Sequence, residues 1–339
     1  MATIRDVARE AGVSTGTVSR AFNGYKDIHP VTRKRVFEAA CRLGYSPNVN
    51  AKSLSSKSSS NMGLIISDFL ESDRKNGFAL DLLKGTYRYA SLHQLEVALY
   101  AQDAAGKNAK SYGQFCTEHS IFGAVLSGVE TEDVYFEQLV AAKLPCVLID
   151  AYVRGNGLSC VTTDFKAAAR EMTDYLLDAG HRNLLVVEGK RESRINQDQI
   201  AGICEAFAKR GMSLSEKQIL TGEMQENTAY EKVKAYLFRY GKSAATAFLC
   251  LSDEMALGVM RAVTEAGYAI PDDFSVTGFD GIPIGEYTTP ALTTIERDME
   301  RIGYHAAQVL QELGRHPEQS KCVSVPYRLI ERNSVKKIL

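Results

Sequence analysis

Short apolar runs alternate with amphipathic segments from residue 61 onward, and this alternation is the strongest constraint on the fold. In the first half, helical patterns separate four apolar runs, which read MGLIIS, LEVALYA, FGAVLS and PCVLID. In the second half, helical patterns near 165–179, 196–210, 228–240 and 254–266 enclose the runs NLLVVE, AFLCL and FSVTGF. Regular alternation of this kind predicts parallel sheets with right-handed crossovers. The two sets therefore predict an α/β body of two lobes with a cleft between them.

The first 46 residues show a different pattern, that of three short helices. Thr3 and Asp6 form a variant capping box, which predicts a first helix from Ile4 to Ala11. Gly12 is suited to end that helix, and Ser14 is suited to cap a second helix over about 15–22. The short gap between them is typical of a helix-turn-helix. A third helix follows, capped by His29 and Pro30 and ending near Leu43, with Val36, Ala40 and Leu43 predicted to face inward.

The second predicted helix has two unlike faces. At about 100° per residue, Val18, Ala21 and Phe22 gather on one side. The opposite side carries short polar residues that are neutral or poor helix formers. They are Thr15, Gly16, Ser19, Arg20 and Asn23. One face is thus predicted to pack, and the other is polar and carries short side chains.

Charge is distributed unevenly along the chain, although the net charge is only −1. Residues 1–60 hold ten Lys and Arg against four acidic residues, and the remainder holds 30 basic against 37 acidic residues. A basic head on an acidic body points to a polyanionic partner for the first segment, although a solvated charged face is the alternative. The composition of residues 47–60 predicts a Ser-rich linker with one short helical turn, which begins at Pro47 and carries one apolar residue, Leu54.

Several classes of protein are disfavoured by what the sequence lacks. It has no apolar run of about 18 residues, and its N-terminus is charged. We therefore expect no membrane segment and a cytoplasmic protein. The seven Cys are scattered singly, and we expect them to be reduced and mostly buried. No phosphate-binding, nucleophile or metal-ligand motif occurs, so we expect no cofactor, no metal and no enzymatic activity.

Several segments, in order along the chain, resemble the LacI/GalR family of transcription regulators. The head segment TIRDVAREAGVSTGTVSRAFNG is similar to the N-terminal signature of that family, and TRKRVFEAACRLGYSPNVNAKSL to its third helix and hinge. In the body, DAGHRNLLVV, LSDEMALGVMRA, VTGFDGIP and PALTTIERDMERIG resemble its ligand-binding signatures. The resemblance implies a helix-turn-helix head (1–46), a hinge (47–60) and a two-lobed, periplasmic-binding-protein-like body (61–339).

The resemblance also implies that the chain crosses between the lobes three times. The crossings are expected near residues 163, 291 and 322. The implied N-lobe spans about 61–162 and 292–321, and the implied C-lobe about 163–291 and 322–339.

DNA-binding residues follow from the resemblance by position. Thr15, Gly16 and Arg20 match base-reading positions of a helix in the major groove. Thr3, Ser14, Thr17, Ser19 and Asn23 are expected to contact phosphates, but capping alone is the alternative for Ser14 and Thr17. In the hinge, Leu54 is expected to wedge into the minor groove or, alternatively, to pack on the body. Ala51 would permit close approach of paired hinges, and Lys52 would contact a phosphate.

Effector-binding residues are implied at the strand ends that face the cleft. Asp253 and Asp280 are the leading candidates, although Asp253 is alternatively an ordinary helix cap. The further candidates are Phe78, Ser127, Asp150, Thr162, Arg194 and Arg297. Two departures from the family pattern concern the pocket: Gln199 stands where an Arg is usual, and the loop between Asp68 and Asn76 is longer than usual.

The resulting hypothesis is a dimeric repressor of carbohydrate-utilisation genes. It would bind a pseudo-palindromic operator in double-stranded DNA and be released from it by a small sugar-like effector. A regulator that needs a corepressor, such as a purine or a sugar phosphate, is one alternative. A non-enzymatic ligand-binding module is the other.

Overall fold

The computed structural model describes residues 3–22, 25, 27–43, 45, 61–67, 76–101, 111–129, 141–153 and 155–338. The chain divides into two compact units, residues 1–59 and 60–339. Four residues predicted to contact DNA lie outside the described residues: Asn23, Ala51, Lys52 and Leu54. Residues 68–75, which hold the loop predicted to be longer than usual, and residues 130–140 lie outside them as well.

The first unit contains the three predicted helices. They are α1 (Ile4–Ala11), α2 (Thr15–Phe22) and α3 (Pro30–Arg42). Gly12 ends α1 in the left-handed conformation, with φ of 62°, which a residue without a side chain adopts at little cost. Small apolar side chains form the core, among them Val7, Ala11, Val18, Ala21 and Val36. The prediction that Leu43 faces inward is wrong: its exposed fraction is 37%, and Ala39 is buried instead.

The N-lobe is built on a six-stranded parallel sheet. In chain order its strands are β1 (Asn61–Ile66), β2 (Glu96–Ala101), β3 (Ile121–Ser127), β4 (Cys146–Ile149), β5 (Leu158–Thr163) and β11 (Cys322–Val325). Across the sheet the order is β11-β5-β4-β3-β1-β2. Its described helices are α4 (Asn76–Leu92), α5 (Tyr112–Glu118) and α10 (Met299–Arg315).

The C-lobe repeats this architecture with one antiparallel edge strand. Its strands are β6 (Leu184–Glu188), β7 (Ile219–Thr221), β8 (Ala247–Cys250), β9 (Ser275–Asp280), β10 (Thr293–Arg297) and β12 (Tyr327–Ile330). Across the sheet the order is β12-β10-β9-β8-β6-β7, and β12 runs antiparallel to β10. Its helices are α6 (Phe165–Asp178), α7 (Arg194–Ala208), α8 (Glu226–Tyr240) and α9 (Asp253–Glu265).

The sheet pairings correct two of the three predicted lobe crossings. The first lies between β5 and α6, as expected near residue 163. The second follows Arg297 rather than Ala291, because β10 pairs with β9 in the C-lobe sheet. The third follows Val325 rather than residue 322, because β11 pairs with β5 in the N-lobe sheet. Strand-like sequence does not say which sheet a strand joins, and hydrogen-bonded pairing decides it.

Close packing of two helices holds the returning segment on the N-lobe. A Cβ atom at Gly85 of α4 would lie 1.8 Å from the carbonyl oxygen of Glu300, at the start of α10. A Cβ atom at Gly303 of α10 would lie 2.2 Å from the carbonyl oxygen of Leu82. The two helices therefore approach each other through glycine on both sides.

The expectation that all seven cysteines are reduced is also corrected. Cys160 on β5 and Cys322 on β11 are register partners and form a disulfide, with their Cα atoms 4.5 Å apart. They are 162 residues apart in sequence, so only the pairing of the two strands brings them together. The other five cysteines are free, and Cys116, Cys146 and Cys250 are buried as expected.

Candidate functional site

Helix α2 presents the predicted base-reading residues to solvent. Thr15, Gly16 and Arg20 are exposed, whereas Val18 and Ala21 on the opposite face are buried in the head core. A Cβ atom built at Gly16 would meet only the Ser14 hydroxyl, at 3.6 Å, so the glycine leaves open space on this face. Tertiary packing of the apolar face offsets the weak helix propensity of the other.

Two of the predicted phosphate-binding positions also cap helices. At α1, the backbone N–H of Thr3 donates to Asp6 Oδ2 at 2.9 Å, and the backbone N–H of Asp6 donates to Thr3 Oγ1 at 3.4 Å. At α2, Ser14 Oγ accepts from the backbone N–H of Thr17 at 3.1 Å and lies 2.9 Å from Thr17 Oγ1. These side chains therefore order the two helix starts, whose backbone N–H groups are suited to phosphates.

Arg20 forms an ion pair with another residue of the head. Its guanidinium donates to the carboxylate of Asp27 and lies over the ring of Tyr25, with Cζ 5.4 Å from the ring centroid. The side chains of Arg20 and Asp27 are both about half exposed, at 53% and 51%. The pair therefore lies on the surface, at the end of the exposed face of α2.

A buried ion pair joins the two lobes of the body. Arg297, the last residue of β10, donates from Nη2 to both oxygens of Asp150, at 2.8 Å and 2.6 Å. Asp150 follows β4 in the N-lobe sheet. The Arg297 side chain is only 4% exposed and that of Asp150 only 14%. In a setting so poor in water, each charge relies on the other for compensation.

Five of the eight predicted effector residues lie in this cluster. Thr162 Oγ1 donates to Asp150 Oδ1 at 3.1 Å, and Asp280 Oδ1 lies 3.5 Å from Arg297 Nη1. The ring centroid of Phe78 lies 5.1 Å from the guanidinium carbon. The cluster thus unites Phe78, Asp150, Thr162, Asp280 and Arg297.

Two members of the cluster, Thr163 and Phe165, were not predicted from the sequence. Thr163 Oγ1 accepts from Arg297 Nε at 3.1 Å, and the ring centroid of Phe165 lies 4.7 Å from its guanidinium carbon. Both residues flank the first crossing, in the segment TTDF. An aromatic side chain directly after a strand that leaves its lobe was the available signal. The guanidinium is therefore held by three oxygen-bearing side chains and lies against two aromatic rings.

Burial and neighbouring charge shift the ionisation of the cluster. Burial opposes the Arg297 cation, but the negative charges of Asp150 and Asp280 outweigh it and raise the pKa of Arg297. Burial raises the pKa of Asp280 to about 7; Arg297 lowers it, and the negative charges of Asp253 and Asp150 raise it further. Asp280 thus titrates near neutrality.

The Asp253 carboxylate is bonded within the C-lobe. It is fully buried; Oδ1 accepts from the Thr294 hydroxyl at 2.5 Å, and Oδ2 accepts from the backbone N–H of Ile282 at 2.8 Å. The helix cap is Ser252, whose Oγ accepts from the backbone N–H of Met255. Asp253 is therefore not the helix cap: its carboxylate fastens the turn after Asp280 to β10, and its contact with an effector stays a prediction. Burial raises its pKa to about 6, against hydrogen bonds that lower it.

The remaining predicted residues lie around the cluster. Arg194, at the start of α7, lies over the N-lobe ring of Tyr152, with Cζ 5.7 Å from the centroid, and pairs with Asp198 at 3.1 Å. Ser127 ends β3, and its carbonyl oxygen accepts from the backbone N–H of Ser67 at 3.0 Å. Gln199 is buried and donates from Nε2 to the Leu251 carbonyl oxygen at 3.2 Å, which ties α7 to the end of β8.

The part of the chain that the structure describes contains no group of three His, Cys, Asp or Glu residues placed to hold a metal ion. Within the same residues, no helix combines the length and the apolar character needed to span a bilayer.

Comparison with known proteins agrees with the two-part architecture. Residues 3–48 match the model for bacterial regulatory proteins of the lacI family, and residues 173–335 match that for a periplasmic binding protein-like domain. The chain is 32% identical to the catabolite control protein A of Priestia megaterium, over 98% of this chain and 99% of that protein. The chain belongs to the lacI family. It is thus a DNA-binding transcription regulator of a non-enzymatic family.

Solved structures of this family share the fold along nearly the whole chain. A lac repressor dimer bound to operator and the anti-inducer ONPF has a TM-score of 0.82, with 23% identity and 99% of each chain covered. A complex of the transcriptional regulator CelR with cellobiose has a TM-score of 0.73 and 24% identity, covering 98% of this chain and all of that one.

Proposed function

We propose that this lacI-family regulator is a dimeric repressor that a neutral, sugar-like effector releases from a pseudo-palindromic operator. The observation that carries the proposal is the buried Asp150–Arg297 pair, which joins the two lobes at the carboxyl ends of their strands. Ligands of open α/β sheets bind at this edge. A ligand that enters there has to exchange bonds with the pair, and so acts on the contact between the lobes.

The charges of the cleft favour an uncharged, hydroxyl-rich effector. Arg297 faces Asp150 and Asp280, while Arg194 is paired with Asp198. An anionic ligand would have to displace a carboxylate from an arginine and leave that carboxylate beside a second negative charge. Sugar hydroxyls both donate and accept, so they are able to bond to the carboxylate and to the guanidinium at once. The rings of Phe78 and Phe165 offer apolar surface for a sugar ring.

Direct reading of the operator is proposed for the exposed face of α2. Arg20 carries the donors for a bidentate bond to guanine, and Thr15 offers a hydroxyl and a methyl group. Gly16 has no side chain, so it contributes closeness to the groove rather than a hydrogen-bonding code. In the hinge, Leu54 is proposed to wedge into the minor groove, Ala51 to permit close approach of paired hinges and Lys52 to contact a phosphate. Asn23 is likewise proposed to contact a phosphate.

A surface of the C-lobe supports the proposed dimer. Ile284 and Tyr287 lie close together in the chain and are 50% and 81% exposed. The adjoining groove, of about 310 Å³, is lined by Leu257, Met260 and Thr288 among others. Two copies related by a twofold axis would cover both surfaces, and two heads would then match a pseudo-palindromic operator.

Ligand screening of the full chain tests the effector class. Melting temperatures are measured with glucose, cellobiose, glucuronate, glucose 6-phosphate, adenosine and hypoxanthine, since a ligand that binds only the folded state raises its stability. We expect neutral sugars to raise the melting temperature. A rise with purines or phosphorylated sugars only would instead favour the corepressor alternative.

Binding to a selected operator then tests the direction of regulation. The operator is obtained by selection from a random duplex library, and its affinity is measured by fluorescence anisotropy with and without the active sugar. Release by the sugar supports the proposal, and tighter binding would support the corepressor alternative. Arg20→Ala should lose the specific binding and keep the ligand-induced rise in melting temperature. Specific binding that survives this change would contradict the proposed base-reading role of Arg20.

A further inference from the structure

We propose that Asp27 is a positioning residue that gives Arg20 its specificity for guanine. The inference rests on the proposed base-reading role of Arg20. In the head, Arg20 Nη2 donates to the Asp27 carboxylate, and the guanidinium lies over the ring of Tyr25. Asp27 belongs to the connection between α2 and α3.

Hydrogen bonds hold the connection that carries Asp27 in place. The backbone N–H of Tyr25 donates to the Arg20 carbonyl oxygen at 3.2 Å, and that of Ile28 donates to the Tyr25 carbonyl oxygen at 3.3 Å. From α3, Arg33 Nη2 donates to the same Tyr25 oxygen at 2.6 Å. Asp27 is thereby presented to Arg20 from a segment bonded to both helices.

The pairing affects guanine and phosphate differently. A guanidinium has five N–H donors, so an acceptor on Nη2 leaves donors for the O6 and N7 atoms of guanine. Fixing the side chain beforehand reduces the rotamer freedom that is lost on binding. The negative charge of Asp27 meanwhile weakens the attraction of Arg20 to phosphates, which is the part of binding that is independent of sequence.

A matched pair of substitutions isolates this effect. Asp27→Asn removes the charge from the pair and keeps the shape of the side chain. Glu10→Gln makes the same change of head charge at an exposed pair elsewhere, where Glu10 lies 3.3 Å from Arg42. The two acids are similarly exposed, at 51% and 46%, so a general gain in positive charge should affect both variants alike.

The measurements use the full chain and DNA alone. Duplexes are selected from a random library with the native protein, Asp27→Asn, Glu10→Gln and Arg20→Ala, and affinities for the selected and a scrambled duplex follow at several salt concentrations. We expect Asp27→Asn to lower the ratio of specific to non-specific affinity about tenfold relative to Glu10→Gln, which lies within the range by which a good guanine contact discriminates. On scrambled DNA, the slope of log affinity against log salt should steepen by about one phosphate contact.

Three results decide whether Asp27 positions Arg20. An equal ratio for Asp27→Asn and Glu10→Gln overturns the inference while the role of Arg20 stands. An unchanged selected sequence for Arg20→Ala overturns the role of Arg20 itself, and the inference with it. Asp27→Glu keeps the charge, and partial recovery of the ratio of specific to non-specific affinity in this variant supports positioning. As a control, circular dichroism melting of each variant shows whether the head is folded.

Discussion

Arg297 Nη2 lies 2.6 Å from Oδ2 of Asp150, and this bond joins the end of a C-lobe strand to the end of an N-lobe strand. The two residues are 147 positions apart in sequence. Because the Arg297 side chain is buried and that of Asp150 is only 14% exposed, the pair makes the closeness of the lobes depend on electrostatic compensation rather than on apolar contact alone. A ligand that satisfies either partner changes what holds the lobes together.

Loss of the bridge should destabilise the body. Asp150→Asn leaves the Arg297 cation without its main partner, and breaking a buried pair in this way costs about 3–5 kcal/mol. Urea unfolding followed by circular dichroism measures the difference. Asp81→Asn is the matched control in the same lobe, because Asp81 pairs with Lys84 on the surface and should change stability much less than Asp150→Asn does. Equal effects of the two substitutions would contradict a compensating role for Asp150.

Asp280 should make stability depend on pH between about 4 and 7. Its folded-state pKa of about 7 lies above the ordinary 3.8, so in this window the folded state holds a proton that the unfolded chain has released. The contribution of this group to the free energy of unfolding is therefore present at low pH and lost as pH rises. Asp280→Asn removes that loss. The free energy of unfolding of the variant, relative to that of the native protein, should therefore be higher at pH 8 than at pH 5.

A control for the pH effect is Asp273→Asn. Hydrogen bonds from the Ala269 backbone and from Lys242 lower the pKa of Asp273, so its titration window lies below about pH 4. In denaturant titrations, the free energies of unfolding of Asp273→Asn and of the native protein should differ by the same amount at pH 5 and at pH 8. A larger deficit of Asp280→Asn at pH 8 than at pH 5 would show that the assigned direction is wrong.

Gly16→Gln should change operator preference without weakening the fold. A side chain at this position meets only Ser14 Oγ at 3.6 Å, and replacing glycine within a helix gains about 0.5–1 kcal/mol. Sequence selection should reveal a new preferred base, and thermal melting should show equal or greater stability. Gly12→Ala is the contrasting variant, since φ of 62° makes a side chain there cost about 1–2 kcal/mol. Loss of stability in Gly16→Gln would contradict the open space at this site.

Gly303→Ala should loosen the packing of α10 on α4. The added methyl group would lie 2.2 Å from the Leu82 carbonyl oxygen, so the helices must separate, at a cost of about 1–3 kcal/mol. Gly77→Ala, near the start of α4, meets nothing within 4 Å and should be neutral or slightly stabilising. Chemical denaturation distinguishes the two. Equal stability of both variants would contradict a close approach of these helices.

The helices of the head and the alternation of the body were determined by local signals that the sequence carries by itself. Thr3 and Asp6 start α1 through bonds across three residues, Gly12 ends it, and Pro30 stands where α3 begins. Such contacts lie within one turn of chain, so spacing and residue type suffice to predict them. The alternation of apolar and helical segments likewise sufficed for the two α/β lobes, because it reflects burial of each strand between helices.

Only the tertiary structure decided which strand joins which sheet and which polar side chains face the cleft. The place of β10, the pairing of Cys160 with Cys322 and the burial of Asp253 beneath the turn at Ile282 all depend on contacts across tens to hundreds of residues. Five of the effector residues that were predicted by position lie in one cluster. Their positions in the sequence did not show that Arg297 is bonded to Asp150. Hydrogen-bonded register and burial arise from the whole fold, and a one-dimensional pattern carries neither.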